Sequence, residues 1–496
     1  MTDSSRLNGR WLLTFARGGA PVEPGFHPLA QEWRNIAIRE SRLGIPVGQP
    51  ILVSDALVDY RLGDYFRMAF RADQRSTAET YAIELRVWLN FLDARRLCSW
   101  YDASHREVRA FQTWRVYSED NPGRVAPSTW NKGLQALKHF YSWTTREGIT
   151  DENPVLDRHE LSARGGVGPH REKNARFSRD RWLTPLEYRL WRDVGLRGYA
   201  MVRAETGNLV PGQAASSSRS RNTARNTAFV DFGLTTGLRR EELGTLLTFE
   251  LPSAVDEEVP IVGKGNVYRH YRAVHRVGLE SLADYFRGER RDAVRRGLKA
   301  GRYELSPDRL IAEVLDTRRG QHVRLADGRV LGLPGLPASE RARLLIEGEQ
   351  GIEPAWLWLS DAGVPLRPES WDDVFQAANH RVTAGRRAHG VQSPWVTVTP
   401  HSLRFTFALF VLLAGVRAID TELGIGPAEP FFVRNYSQAF DEVRDLLGHS
   451  STVTTRKHYL EPVKGLRTLK FLRAGSLTEM WDELRTSSPV VGFKGI

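Results

Sequence analysis

Cysteine is almost missing: Cys98 is the single one in 496 residues, so no intrachain disulfide and no cysteine-rich zinc site can form. That suits a reducing cytosol. Long apolar runs are missing too. The most lipid-like stretch, residues 405–416, is too short for a membrane span and reads as a buried core helix. Near the N-terminus, residues 11–15 are too few for the apolar region of a signal peptide. The absent motifs are as informative. Without G-x-x-x-x-G-K-[ST] a nucleotide-binding P-loop is not expected, and without G-x-S-x-G a serine hydrolase is poorly supported. The thirteen histidines form no H-E-x-x-H, and nothing acidic sits close to His401. Asp441, Glu442 and Asp445 precede His449, but Arg444 lies among them, so they read as charges on a helix face rather than metal ligands. No metal and no cofactor are expected.

What is plentiful is positive charge. Seventy Lys and Arg stand against 59 Asp and Glu, a formal net charge of +11, which points to a polyanionic partner. Charge alone does not separate nucleic acid from an anionic membrane surface. Hydrophobic residues at 41% and aromatics at 10% provide for buried cores and exclude disorder as the dominant state. At roughly 150 residues per domain, the length suggests several domains.

Residues 1–55 show no strong period and read as an N-terminal extension. Residues 56–154 read as a small helical domain. Ser76-Thr77-Ala78-Glu79 has the form of a capping box, and Tyr81, Leu85, Trp88, Leu89 and Leu92 follow on one helical face. Pro127 opens a second helix with Trp130, Leu134, Leu137 and Tyr141 in register, and Asn153-Pro154 closes it. These stripes are expected as core. Residues 155–182 form a basic, glycine-containing linker, either a solvated tether or a segment lying along phosphates. Residues 183–475 are mixed, mostly helical with a few strands, and residues 476–496 are a tail. Residues 211–227 read as a loop, 259–268 as a hairpin with Lys264 in its turn, 283–302 as a basic helix and 356–359 as a strand.

Four segments carry residue types suited to phosphate chemistry. In Thr235-Thr236-Gly237-Leu238-Arg239-Arg240-Glu241-Glu242-Leu243, Arg239 and Glu242 are three apart on one face. The carboxylate can hold the guanidinium rigid while its free edge grips phosphate oxygens; the plainer alternative is an ordinary surface ion pair. Lys264, in Gly263-Lys264-Gly265, can deliver a proton to a leaving oxygen, or it is simply solvated. His401 and Arg404 share a face at the start of the apolar helix, where anions are favoured. Leu447-Gly448-His449-Ser450 precedes Thr454-Thr455 and Tyr459. Side-chain cations without carboxylate ligands suit metal-free phosphoryl transfer.

Taken together, TGLRREEL, HSLR before an apolar helix, and LGHSS followed by a Thr pair and a Tyr resemble the tyrosine recombinase (phage integrase) family over about residues 60–475. The resemblance implies a mainly α fold with small β-sheets: a helical, SAM-like core-binding domain, then a mixed α/β catalytic domain of the DNA breaking-rejoining type. It makes Arg239 and Arg404 the clamp on the scissile phosphate, Lys264 the general acid, and His401 and His449 the proton-transfer and phosphate contacts. Glu242 becomes the supporting carboxylate and Tyr459 the nucleophile of a 3′-phosphotyrosyl intermediate. Double-stranded DNA is the implied partner, held by two lobes, with a homotetramer on two sites and accessory bending or directionality factors. No membrane partner is implied, and the implied location is the cytoplasm at the nucleoid. Arg86, Lys132, Lys138, Arg171 and Lys173 are candidates for further DNA contact. Phe405 stands where the family often has a histidine, and the stretches near 301–350 and 417–440 read as insertions. A type IB topoisomerase-like nicking activity and a catalytically inactive DNA-binding relative are the rival readings.

Overall fold

A computed structural model describes residues 11–16, 42–54, 57–71, 74–95, 98–155, 182–214, 221–263, 267–317, 320–334, 336–425, 433–448, 451–452 and 455–456. Two units divide the chain, Met1–Phe177 and Ser178–Ile496, each with its own hydrophobic cluster.

In the first unit, three short strands, β1 (Trp11–Phe15), β2 (Pro50–Ser54) and β3 (Leu57–Val58), precede helices α1 (Tyr60–Met68), α2 (Arg75–Ala94), α3 (His105–Gln112) and α4 (Pro127–Arg146). The stripes expected on α2 and α4 are the core: Leu85, Trp88, Leu89 and Leu92 bury in one cluster with Trp130, Leu134, Leu137 and Tyr141, while Tyr81 is half-buried. Trp88 Nε1 donates to the Tyr141 hydroxyl at 3.0 Å, and that hydroxyl donates to the Trp100 carbonyl at 2.7 Å. Such pairing removes the penalty of roughly 1–3 kcal/mol for an unmet buried polar group. Asn153 folds back on α4, its amide donating to Lys138 O at 3.1 Å and Ser142 Oγ at 2.8 Å.

One local expectation fails here. The capping box at Ser76 does not form. Helix α2 begins at Arg75, Gln74 gives it no side-chain cap, and Glu79 pairs instead with Arg75 at 3.1 Å, because an i,i+4 cation competes for the same carboxylate. The N-terminal segment also supplies structure, as an antiparallel sheet in the order β1-β2-β3 that crosses residue 55. Asn90, buried on α2, holds its edge from both sides: Trp11 N donates to Asn90 Oδ1 at 2.9 Å and Asn90 Nδ2 donates to Trp11 O at 3.0 Å. Strand β1, five residues with a mostly open face, carries too little alternation to read from sequence.

The second unit is mainly helical with small antiparallel sheets. Its order is α5 (Pro185–Leu190), β4 (Tyr199–Arg203), β5 (Leu209–Ala214), α6 (Thr223–Thr236), α7 (Arg240–Gly244), β6 (Val259–Gly263), β7 (Val267–Tyr271), α8 (Arg276–Tyr285) and α9 (Arg291–Lys299). Then come β8 (Ile311–Thr317), β9 (Gly320–Leu325), β10 (Val330–Gly332), α10 (Ala338–Arg341), β11 (Leu345–Gly348), β12 (Gly351–Pro354), α11 (Ser370–Ala388), α12 (Pro400–Leu423) and α13 (Ser437–Leu447). Helices α6 and α12 form its centre. Helix α12 is long and apolar enough to cross a membrane by length and composition, yet most of it is packed inside this core, Phe405 included. Thr399 and Ser402 cap it reciprocally, and Gly424 ends it at φ +66°. Helix α8 lies directly on α6: a Cβ at Gly278 would stand 2.1 Å from Thr235 Oγ1.

The loop expected over 211–227 is shorter than that at both ends, and residues 215–220 lie outside the described residues. Strand β5 runs to Ala214, and α6 begins at Thr223. Its first amides are capped from afar, Ala224 N and Arg225 N donating to the Glu289 carboxylate at 3.1 and 2.9 Å, which no local pattern reveals. Residues 356–359 make isolated bridges rather than a strand, because side chains take their carbonyls: the Tyr285 hydroxyl binds Leu357 O and Arg225 binds Leu359 O. The basic helix near 283–302 is α8 and α9 joined by a π-helical turn, with Arg290 turned inward onto Glu353 at 2.6 Å. About half of the 301–350 stretch lies in the sheet β10-β9-β8, helix α10 and strand β11.

Substituting Asn90→Ala should destabilise the first unit by about 1–3 kcal/mol and raise hydrogen exchange at the amides of Trp11–Phe15 before those of α4. Unchanged exchange in that strand would refute the docking role given to Asn90.

Candidate active site

The described part of the site grows from the ends of helices. Helix α6 stops at Gly237, whose φ of +64° gives the left-handed cap, and a Cβ there would meet the Phe407 ring at 2.3 Å. The chain then extends through Arg239, the N-cap of α7, which puts Glu242 in the first turn. Glu242 is buried and accepts three bonds: Arg239 N at 2.9 Å, Arg239 Nη1 at 2.7 Å and Arg269 Nη2 at 2.7 Å. The ion pair expected between Arg239 and Glu242 is therefore present, but the carboxylate is shared with a second arginine on β7. Burial opposes ionisation of Glu242; Arg269, then Arg239 and its amide, then Arg404 outweigh it and hold the carboxyl below its ordinary value.

Arg404, in the second turn of α12, is buried. Its Nη1 donates to Gly237 O at 2.6 Å and its Nη2 to Leu447 O at 2.5 Å. Both acceptors are orphan carbonyls at the C-terminal ends of helices, α6 and α13, where the helix dipole favours a cation. His401, one turn earlier, is exposed. The two residues expected to share one face thus differ in burial, because the close ends of α6 and α13 draw Arg404 inward.

Arg269 was not among the residues singled out from sequence. Besides Glu242, it donates through Nη1 to Leu446 O at 3.1 Å, so the last two carbonyls of α13 are held by two arginines. The signal was there. In β7, Tyr268 and His270 are exposed while Tyr271 is buried, and alternation puts Arg269 on the inner side with Tyr271. A cation in an inward register implies a buried partner. Gly448 completes the arrangement: it caps α13 at φ +60°, and a Cβ there would stand 2.4 Å from Arg269 Cδ.

Around Glu242, then, three guanidiniums face one carboxylate, which leaves an excess of two positive charges. Arg239 is about one-third exposed at 32%, and among the described residues no side chain takes its Nε or Nη2. This geometry can receive an anion with two or more oxygens. Lys264, His449, Tyr459, Arg171 and Lys173 lie outside the described residues. Strands β6 and β7 flank Lys264 and pair antiparallel, Gly263 opposite Val267. In the first unit Lys132 is exposed, and Arg86 and Lys138 are half-buried on α2 and α4.

Residues 63–148 match the model of the phage integrase N-terminal SAM-like domain. The same region is similar to the tyrosine recombinase XerC of Roseiflexus castenholzii, 32% identical over 88 residues, which are 17% of this chain and 26% of that protein. The chain therefore spans about a quarter of the length of this relative. Two solved structures are also similar. The Tn1549 transposon integrase with circular intermediate DNA is 12% identical over 81% of this chain and 94% of that one, at a TM-score of 0.40. A lambda integrase dimer bound to a core site is 13% identical over 81% and 95%, also at 0.40. The family resemblance read from motifs at 235–459 is thus met by a separate match at 63–148, in the other half of the chain.

Because Glu242 is a carboxylate held below its ordinary value of 4.5, its contribution is fully present above that pH and fades as pH falls through the lowered value. Removing one partner of a buried ion pair typically costs about 3–5 kcal/mol. Glu242→Gln should lower the urea midpoint of the second unit at pH 7, with the deficit shrinking at pH 4 and below. A deficit of the same size at both pH values would contradict the ionised, paired state.

Proposed function

We propose that this protein is a tyrosine-type site-specific DNA recombinase that cuts and rejoins duplex DNA, for integration or excision of a mobile element. The observation that carries the reading is the cluster at Glu242, with its excess positive charge and, among the described residues, one guanidinium edge open to an anion. It lies in a chain that also matches the model of an integrase SAM-like domain.

In this reading Arg239 and Arg404 stabilise the charge that builds on the scissile phosphodiester, and Glu242 holds Arg239 in place. Tyr459 is the nucleophile. Its phenol oxygen passes its proton to the His401/His449 pair and bonds to phosphorus as the bond to the 5′ oxygen breaks, and Lys264 gives that oxygen a proton. The products are a 3′-phosphotyrosyl link and a free 5′-hydroxyl. His401 and His449 contact the phosphate and assist proton transfer. Attack by a 5′-hydroxyl from the partner duplex reverses the step and releases Tyr459. One phosphodiester is exchanged for another, so the sequence of steps closes without an external energy source. The proposal extends to a homotetramer on two DNA sites, with accessory factors setting direction, acting in the cytoplasm at the nucleoid. Arg86, Lys132, Lys138, Arg171 and Lys173 are proposed as contacts to the DNA backbone, which would weaken binding steeply as salt rises.

A nicked suicide substrate carrying the cognate site tests this. Wild type should accumulate a covalent protein–DNA adduct with a free 5′-hydroxyl, and Tyr459→Phe should form none. Adduct formation by Tyr459→Phe at the wild-type rate would overturn the assignment of nucleophile. An adduct without strand exchange between two duplexes would favour the topoisomerase-like reading, and no wild-type adduct would favour DNA binding alone.

A further inference from the structure

One buried side chain at the site has no role in the reading above, although it ties separate segments together. Arg269 stands in the middle of β7, opposite Ile261 of β6. Its guanidinium reaches two other segments, the Glu242 carboxylate on α7 at 2.7 Å and the Leu446 carbonyl at the end of α13 at 3.1 Å. Only 9% of its side chain is exposed, against 32% for Arg239, so it is poorly placed to touch DNA itself. Three segments meet on this one group: the hairpin that leads to Lys264, the turn that carries Arg239 and Glu242, and the helix end that leads to His449.

We propose that Arg269 is a positioning residue for the transesterification, acting through Glu242 on Arg239 and through Leu446 on the exit of α13. The inference rests on the recombinase reading. A planar guanidinium suits the role because its fork fixes two acceptors at a set angle, whereas an ammonium holds them as a point charge. The close approach of Gly448 to Arg269 Cδ fits the same purpose: the backbone after α13 packs on the arginine stem, leaving no room for a side chain. A second tie runs nearby, from Arg272 just beyond β7 to Glu442 on α13, but it is solvent-exposed and adds little hold of its own. Arg269 also differs from a filler of the core. Two of its nitrogens are used on acceptors from separate segments, and one of these, Glu242, orients the arginine with an open edge.

The test is single-turnover cleavage of the nicked suicide substrate at saturating protein, for wild type, Arg269→Met, Arg269→Lys, Glu242→Gln and the Arg269→Met/Glu242→Gln double variant. Misplacing catalytic groups by about 1 Å can cost roughly 100-fold in rate. Arg269→Met should therefore lower the rate constant of adduct formation by about that factor, with reaction amplitude and DNA affinity near wild type. Arg269→Lys should recover part of the rate, and the double variant should be little slower than the slower single. A residue that only supports folding would behave differently: amplitude would fall with the active fraction, while the rate constant of the active molecules stayed at the wild-type value. That result, or multiplying rate losses in the double variant, overturns the proposal. If Arg269→Met does not fold, Arg269→Lys carries the test alone, and a wild-type rate constant in it overturns the proposal equally. Wild-type protein forming no adduct removes the recombinase reading and this inference with it. An active wild type matched by Arg269→Met removes the inference alone.

Discussion

A single buried carboxylate, Glu242, decides how the second unit is arranged at its site. Burying one ionised carboxylate is expensive unless it is paired and fully hydrogen-bonded, and here it is both. Its partners come from the α6–α7 turn and from β7, with Arg404 of α12 adding to the field. Arg269 and Arg404 are each also tied to backbone carbonyls at helix ends, so the cluster around the carboxylate links α7, β7, α12 and the ends of α6 and α13. Two of those ties end on the last carbonyls of α13, so the helix that leads into Gly448 and His449 is held by charge at its C-terminus.

The same arrangement accounts for the motifs. Gly237 and Gly448 are both left-handed helix caps, and each also permits a close approach, to Phe407 and to Arg269. In LGH and TGL the glycine thus has two physical reasons to be there, conformation and space. Thr399 and Ser402 cap the helix that carries Arg404 into its buried place. The apolar length of α12 is what a central core helix needs, since neighbours surround it on nearly every side.

Much of this was legible in the sequence, for definable reasons. The stripes on α2 and α4, the α12 helix, the hairpin at β6–β7 and the Arg239–Glu242 pair all rest on spacing of three, four or two residues, which local geometry imposes. What stayed hidden depends on residues distant in the chain. Glu289 caps α6 from more than sixty positions away, and Tyr285 and Arg225 take the carbonyls that would have made a strand of 356–359. The inward turn of Arg404 follows from the meeting of α6 and α13, and the partnership of Arg269 with Glu242 spans 27 positions. The capping box at Ser76 failed for a local reason: Arg75 offered Glu79 a competing partner.

The central claim is that the positive charge left over around Glu242 serves the negative charge of a phosphodiester. Replacing the scissile phosphate by a neutral methylphosphonate tests it most directly, with Arg239→Ala compared to wild type on both substrates. The account predicts a large rate loss for Arg239→Ala on the charged phosphate and a much smaller one on the neutral analogue, because little charge then remains for Arg239 to meet. An equal loss on both substrates would contradict it.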